Sequence, residues 1–164
     1  MELRKHLSFK VIAAVAYVVC FLAYIIIGLR PVEAAQSYSI SGNLEIPSID
    51  LRSDVTTVEL EDGVLPTPNN IVGSYSKADN KTFLFGHSST VFQRLYEVKL
   101  EETIIYNNTN YKVSKIEIVP KTDVKMNKLL KSESKDTIII MTCAGQYLGN
   151  KDATHRLIIE AIKT

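Results

Sequence analysis

The chain has 164 residues, room for one compact domain with an attached segment but not for two ordinary domains. It is 46% hydrophobic and 23% charged with a formal net charge of +1, the composition of a globular protein with no overall basic excess that would point to nucleic acid. The charge is unevenly placed: up to residue 30, Arg4, Lys5, Lys10 and Arg30 stand against Glu2 alone, whereas the remainder holds 15 basic and 17 acidic residues.

Residues 11–29 (VIAAVAYVVCFLAYIIIGL) form a charge-free run of 19 residues, within the roughly 17–25 that a helix needs to cross a bilayer. Arg4, Lys5 and Lys10 precede it. The positive-inside rule then places residues 1–10 in the cytoplasm and the chain beyond residue 30 outside. A buried core helix would normally show some polar face. A cleaved signal peptide would have a shorter apolar region, although Val32-Glu33-Ala34 offers a small-residue cleavage site. An uncleaved signal anchor accounts best for the length. Residues 30–42 are small and polar and read as a stalk, with the folded body expected over residues 43–164.

Beyond the stalk the signals are mainly β. Residues 43–46 form a short strand ended by Pro47, residues 54–59 a second, and residues 65–70 (LPTPNN) a proline-punctuated loop. Residues 82–86 (TFLFG) read as a strand ended by glycine. Two helical stretches follow from apolar spacing, at residues 91–98 and 124–131. Residues 103–106 and 111–119 flank Asn107-Asn108-Thr109-Asn110, a hairpin signal, and the second strand carries one slip in its alternation that suggests a bulge. Residues 137–142 (TIIIMT) are continuously apolar, as in a strand buried on both faces, and residues 156–162 form the last strand. About seven short strands with few helices point to a closed barrel or a sandwich.

Cys20 lies in the expected membrane span and Cys143 in the body, so the two cannot pair within one molecule. Cys143 is therefore a lone thiol at the end of a buried strand: either a nucleophile or a small packing residue. A thiol with an ordinary pKa near 8.5 needs a nearby base or cation to attack at neutral pH. His6 falls on the cytoplasmic side, which leaves His87 and His155 as candidate bases. His87 follows a strand in Phe85-Gly86-His87-Ser88-Ser89, where glycine allows a sharp backbone turn. His155, next to Arg156 on a strand, should face the side opposite the arginine. If residues 137–142 and 156–162 are antiparallel neighbours, Arg156 lies across from Cys143, where a guanidinium suits an oxyanion.

Taken together, Ile139-Ile140-Met141-Thr142-Cys143, Phe85-Gly86-His87 and the His155-Arg156 pair resemble the sortases, whose cysteine motif is written TLxTC. Thr142 and Cys143 match that motif, while isoleucines replace its leading Thr and Leu, a change of strand packing. Ile46-Pro47-Ser48-Ile49 resembles the family's opening I-P-x-I, and Phe92 with Leu95 its F-x-x-L stretch. The resemblance implies a closed eight-stranded barrel and a cysteine transpeptidase that cleaves an LPxTG-like sorting motif of secreted proteins. In that reading Cys143 forms the thioacyl intermediate, His87 is acid and base, and Arg156 holds the oxyanion. Thr142, Ser88, Ala144 and Gly145 would contact the substrate, and an amine on a peptidoglycan precursor or a pilin lysine would resolve the intermediate. Residues 145–153 and 71–81 are the expected contributors to specificity. No cofactor is implied, and no metal-ligand spacing is present, the scattered Glu59, Glu61 and Asp62 included. A cysteine peptidase that only hydrolyses, and a non-catalytic binding module displaying its loops, are the competing readings.

Overall fold

The computed structural model describes residues 17–21, 38–132, 134–147 and 152–164. The chain divides into two units, residues 1–37 and 38–164. Residues 17–21 of the first are helical, and Tyr17, Val18, Val19 and Phe21 expose their side chains. Among the described residues no helix is long and apolar enough to cross a membrane. The rest of the span expected at residues 11–29 lies outside the described residues.

The second unit is mainly β. Its strands are β1 (Ile40–Ile46), β2 (Leu51–Thr57), β3 (Val72–Ala78), β4 (Lys81–Phe85), β5 (Thr103–Tyr106), β6 (Thr109–Pro120), β7 (Thr137–Tyr147) and β8 (Ala153–Lys163). They close into one barrel in the order β1-β2-β3-β4-β7-β8-β6-β5. Closure pairs every strand on both sides and leaves no exposed edge to template aggregation. Both stretches expected to be helical contain helical turns: Leu95–Glu97 is a 3-10 turn, and Met126–Leu129 is one turn of α-helix.

Several boundaries differ from the sequence expectation. β1 begins at Ile40, inside the presumed stalk, because residues from Ile40 onward pair with β2. Val72–Ala78, expected to belong to a substrate-facing loop, is instead strand β3, paired parallel with β2 and antiparallel with β4. Its small and polar residues (VGSYSKA) carry little strand propensity, so only its two neighbours specify it. The hairpin turn is two residues long, not four. Asn107 and Asn108 take φ of 48° and 61°, and the ladder resumes at once with Tyr106 opposite Thr109. Two successive positive φ values are what a two-residue turn matching the strand twist requires, and asparagine tolerates them. The slip in β6 is a break of register between Val113 and Lys115 against β8.

Alternation sorts the side chains of β4, β7 and β8 into two apolar layers. Leu84, Ile138, Ile140, Leu157 and Ile159 point into the barrel. Phe83, Phe85, Ile139 and Ile158 point outward into a second cluster, covered by Leu65 before β3 and by Val124, Met126, Leu129 and Leu130 between β6 and β7. The uninterrupted apolar run of β7 is thus explained, since Ile138 and Ile140 face one layer and Ile139 the other, each nearly or wholly buried. The two isoleucines that depart from the family's cysteine motif are these packing positions, Ile139 outward and Ile140 inward. Phe92 and Leu95, 1% and 0% exposed, insert into the interior cluster just after β4. Burial of two such side chains is worth about 1.5–3 kcal/mol each, and it fastens the chain that leaves the end of that strand.

Candidate active site

Strand register assembles the site. β4 and β7 run parallel, with Phe85 opposite Met141 as their last pair. His87 and Cys143 each lie two residues beyond that pair, so both emerge at the same end of the sheet. β7 and β8 run antiparallel with Cys143 directly opposite Arg156. Directly opposed residues share a face with Cβ atoms about 4.5–5.5 Å apart. His87, Cys143 and Arg156 have the same alternation phase as Phe85, Met141 and Ile158, which is the outward one. All three line a single cavity of about 360 Å³, within the range usual for ligand sites. Cys143 is a half-buried free thiol there.

Phe83 and Phe85 form the apolar floor of this cavity, their rings stacked with centroids 5.3 Å apart. Leu65, Met126 and Leu130 line it as well. Met126 and Leu130 are four residues apart across the short helix, so both face the same way. Sequence reasoning assigned none of these apolar residues to the site. The available signal was that Phe83 and Phe85 alternate in phase with His87.

Thr142 is 5% exposed and donates its hydroxyl to the Gly86 carbonyl at 2.8 Å, tying the strand end that bears the cysteine to the one that bears the histidine. The carbonyl of His87 accepts from the backbone N–H groups of Thr90 and Phe92, at 3.3 and 3.1 Å. Gly86 is not among the described residues with positive φ, so a sharp turn is not its purpose. A Cβ there would lie 2.6 Å from Val91 Cγ1, and that close approach is what demands glycine. Gly145 does adopt φ of +80°, and a Cβ would meet Thr154 Oγ1 at 2.6 Å.

Of the four residues expected to contact substrate, Thr142 lines the cavity, and Ser88, Ala144 and Gly145 are not part of its lining. Ser88 shares a short hydrogen bond with the hydroxyl of Tyr147, which joins the histidine segment to the end of β7. Ala144 packs against the barrel interior. Its register partner is His155, so that imidazole is on the face opposite Arg156, and it too is absent from the cavity. The Thr154 hydroxyl, which accepts the Gln146 N–H at 3.1 Å, lies 2.8 Å from His155 Nδ1.

Arg156 is held firmly, its side chain only 14% exposed. Nη1 donates to the carbonyls of Ala153 and His155 at 2.9 Å each, and Nη2 to Asp152 Oδ1 at 3.1 Å. Asp152 also takes the Lys121 ammonium on its other oxygen. The Lys121 bond first, then the Arg156 bond, hold the Asp152 carboxyl below its ordinary range, so it is ionised at neutral pH. Sequence reasoning missed Asp152 and Lys121, because nothing in the local pattern marks a carboxylate in a chain reversal as the partner of a strand arginine.

The Sortase domain family matches residues 44–164, most of the chain and nearly all of the barrel. This chain belongs to the sortase family. At family level, membership implies a cysteine transpeptidase acting on proteins that carry sorting motifs. No curated protein sequence matches the chain. Among solved structures, the sortase barrel is similar to a lid mutant of sortase A from Corynebacterium diphtheriae, at 24% identity and a TM-score of 0.61, covering 83% of this chain and 75% of that one. It is similar also to sortase C from Clostridium perfringens SM101, at 21% identity and a TM-score of 0.57, covering 77% of this chain and 70% of that one. A third is the Pilus Island 1 sortase C2 of Group B Streptococcus, at 21% identity and a TM-score of 0.60, covering 79% and 77%. These likenesses establish the sortase fold.

Proposed function

We propose that this sortase is a membrane-anchored transpeptidase that cleaves an LPxTG-like motif of secreted proteins and joins the acyl fragment N-terminal to the cut to an amine. The observation that carries the reading is the register: Cys143 opposite Arg156, and His87 at the same strand end, all on one cavity. The Cys143 thiolate attacks the scissile carbonyl, giving a tetrahedral oxyanion that the Arg156 guanidinium stabilises. His87 protonates the departing amine, and the intermediate collapses to a thioester. An incoming neutral amine then attacks the thioester, its nitrogen losing a proton to His87 as the new bond forms, and the thiolate leaves. The apolar floor of Phe83 and Phe85 suits the leucine and proline of such a motif.

Arg156 supports this assignment by donor arithmetic. A guanidinium has five N–H donors, and three of those of Arg156 are engaged by Ala153, His155 and Asp152. Two donors, Nε–H among them, have no acceptor among the described residues, on a side chain that lines the cavity with Cys143.

For localisation, the charge-free residues 11–29 and the basic residues before them support an anchor with the N-terminus cytoplasmic and the barrel outside. The helical, exposed Tyr17, Val18, Val19 and Phe21 are apolar side chains of the kind that lipid would cover. The amine acceptor is then a peptidoglycan precursor or a pilin lysine.

The test incubates the compact unit, residues 38–164, with a pool of LPxTG-like peptides and an amine, followed by intact-mass spectrometry. A thioacyl adduct and amine-exchanged peptide are expected, and Cys143→Ala abolishes both. An adduct with hydrolysed peptide alone would favour a peptidase. Folded protein with no adduct across the pool would favour a binding module.

A further inference from the structure

An arginine that stabilises an oxyanion acts only while its fork is aimed, and a long side chain left in water loses that aim through rotamer freedom. Arg156 is not left in water, yet two of its three anchors are backbone carbonyls beside its own position, Ala153 and His155. Both of those bonds use Nη1. Those two bonds hold one nitrogen and leave Nη2 without an anchor of its own. The contact that holds Nη2 is the one to Asp152 Oδ1 at 3.1 Å.

Asp152 is fixed from the other side. Its second oxygen holds the ammonium of Lys121, the first residue after β6, and β6 is the strand on the far side of β8. Pro120 and Val119 of β6 stand opposite His155 and Arg156, so the carboxylate bridges the end of β6 to the start of β8. The charge count also matters. A carboxylate paired with Arg156 alone would cancel the guanidinium's field at the cavity, whereas Lys121, Asp152 and Arg156 together keep a net charge of +1.

We propose that Asp152, backed by Lys121, is a positioning residue that sets the guanidinium plane of Arg156 so that its unengaged N–H donors face the carbonyl attacked by Cys143. The assignment rests on the transpeptidase reading given above. Asp152 itself touches no substrate and acts through Arg156, because its side chain is not among those lining the cavity.

The experiment is a double-mutant cycle on the full-length chain in detergent, with Asp152→Ala, Asp152→Asn, Arg156→Ala and the combined Asp152→Ala/Arg156→Ala. Thioacyl formation is followed by mass spectrometry and steady-state turnover of an LPxTG-like peptide. Loss of an oxyanion donor outright costs about 10²–10³-fold, so misaiming one by Asp152→Ala is expected to lower kcat by about tenfold with KM unchanged. Asp152→Asn keeps an acceptor for Nη2 and is expected to recover part of that, to a loss of about threefold. In the Arg156→Ala background, removing Asp152 is expected to cost nothing further.

An equal loss in both backgrounds would overturn the proposal, as would a rise in KM at unchanged kcat or full activity of Asp152→Ala. Thermal unfolding checks that each variant is folded. If Asp152→Ala is not, unchanged kcat in Asp152→Asn overturns the proposal instead. Failure of the wild-type chain to form any adduct would refute the transpeptidase reading itself, an outcome distinct from all of these.

Discussion

Gly86 separates the last residue of β4 from His87, and the space its missing side chain leaves is filled by Val91, whose Cγ1 would be 2.6 Å from a Cβ, and by Phe92 at 3.1 Å. Gly86→Ala therefore pushes on the residues that seat the histidine segment. Overpacking of this kind costs about 1–3 kcal/mol. Displacement of His87 by even 1 Å is expected to lower kcat by about ten- to a hundredfold. Thermal unfolding and turnover of the folded variant check this, and a folded Gly86→Ala enzyme with wild-type kcat would show that His87 tolerates the shift. FGHSS was readable as a histidine site from sequence, but the reason for its glycine was not. The chain offers a turn as the obvious explanation, and only the packed position of Val91 reveals the true one. Thr142 is similar: its place beside Cys143 was legible, whereas its bond to the Gly86 carbonyl joins two strand ends 56 residues apart.

At the scale of elements, the segment between β4 and β5 stands out, because it begins at the histidine and is closed by two buried side chains. Phe92 and Leu95 are three residues apart across successive turns, so both reach into the barrel interior. Leu95 is 0% exposed, and Leu95→Ala is expected to destabilise the barrel by about 2–5 kcal/mol through lost burial and the cavity left behind. A shift of the denaturant midpoint at unchanged slope measures it. A cost below 1 kcal/mol would mean that the segment settles into the space, and that His87 is anchored by its backbone bonds alone. Strands β4, β7 and β8 were recognisable from composition because each is apolar and bounded by glycine or polar residues. β3 was not, since its polar residues alternate weakly, and its neighbours supply the ladder that makes it a strand.

For the whole molecule, the barrel closes on itself and carries on its outer face an apolar cavity that His87, Cys143 and Arg156 help to line. The expected arrangement on a membrane follows from the other end of the chain. Expressed in cells, the full-length protein is expected in the membrane fraction, resistant to salt and released by detergent. Protease added to intact cells with a permeable wall should digest the barrel while sparing a tag before residue 11. A soluble protein, or a barrel protected from external protease, would overturn the proposed anchor or its orientation. The features legible in the residues themselves were local: the apolar runs, the asparagine turn, the bulge in β6, and the His87, Cys143 and Arg156 motifs at strand ends. Each depends on a few neighbouring residues. The tertiary structure alone decided that β4 lies parallel to β7, that β3 is a strand, that Phe83, Phe85, Met126 and Leu130 face one cavity, and that Asp152 and Lys121 hold Arg156. Those contacts join segments far apart along the chain, and they are chosen by burial and hydrogen bonding summed over the closed sheet, which no local pattern records.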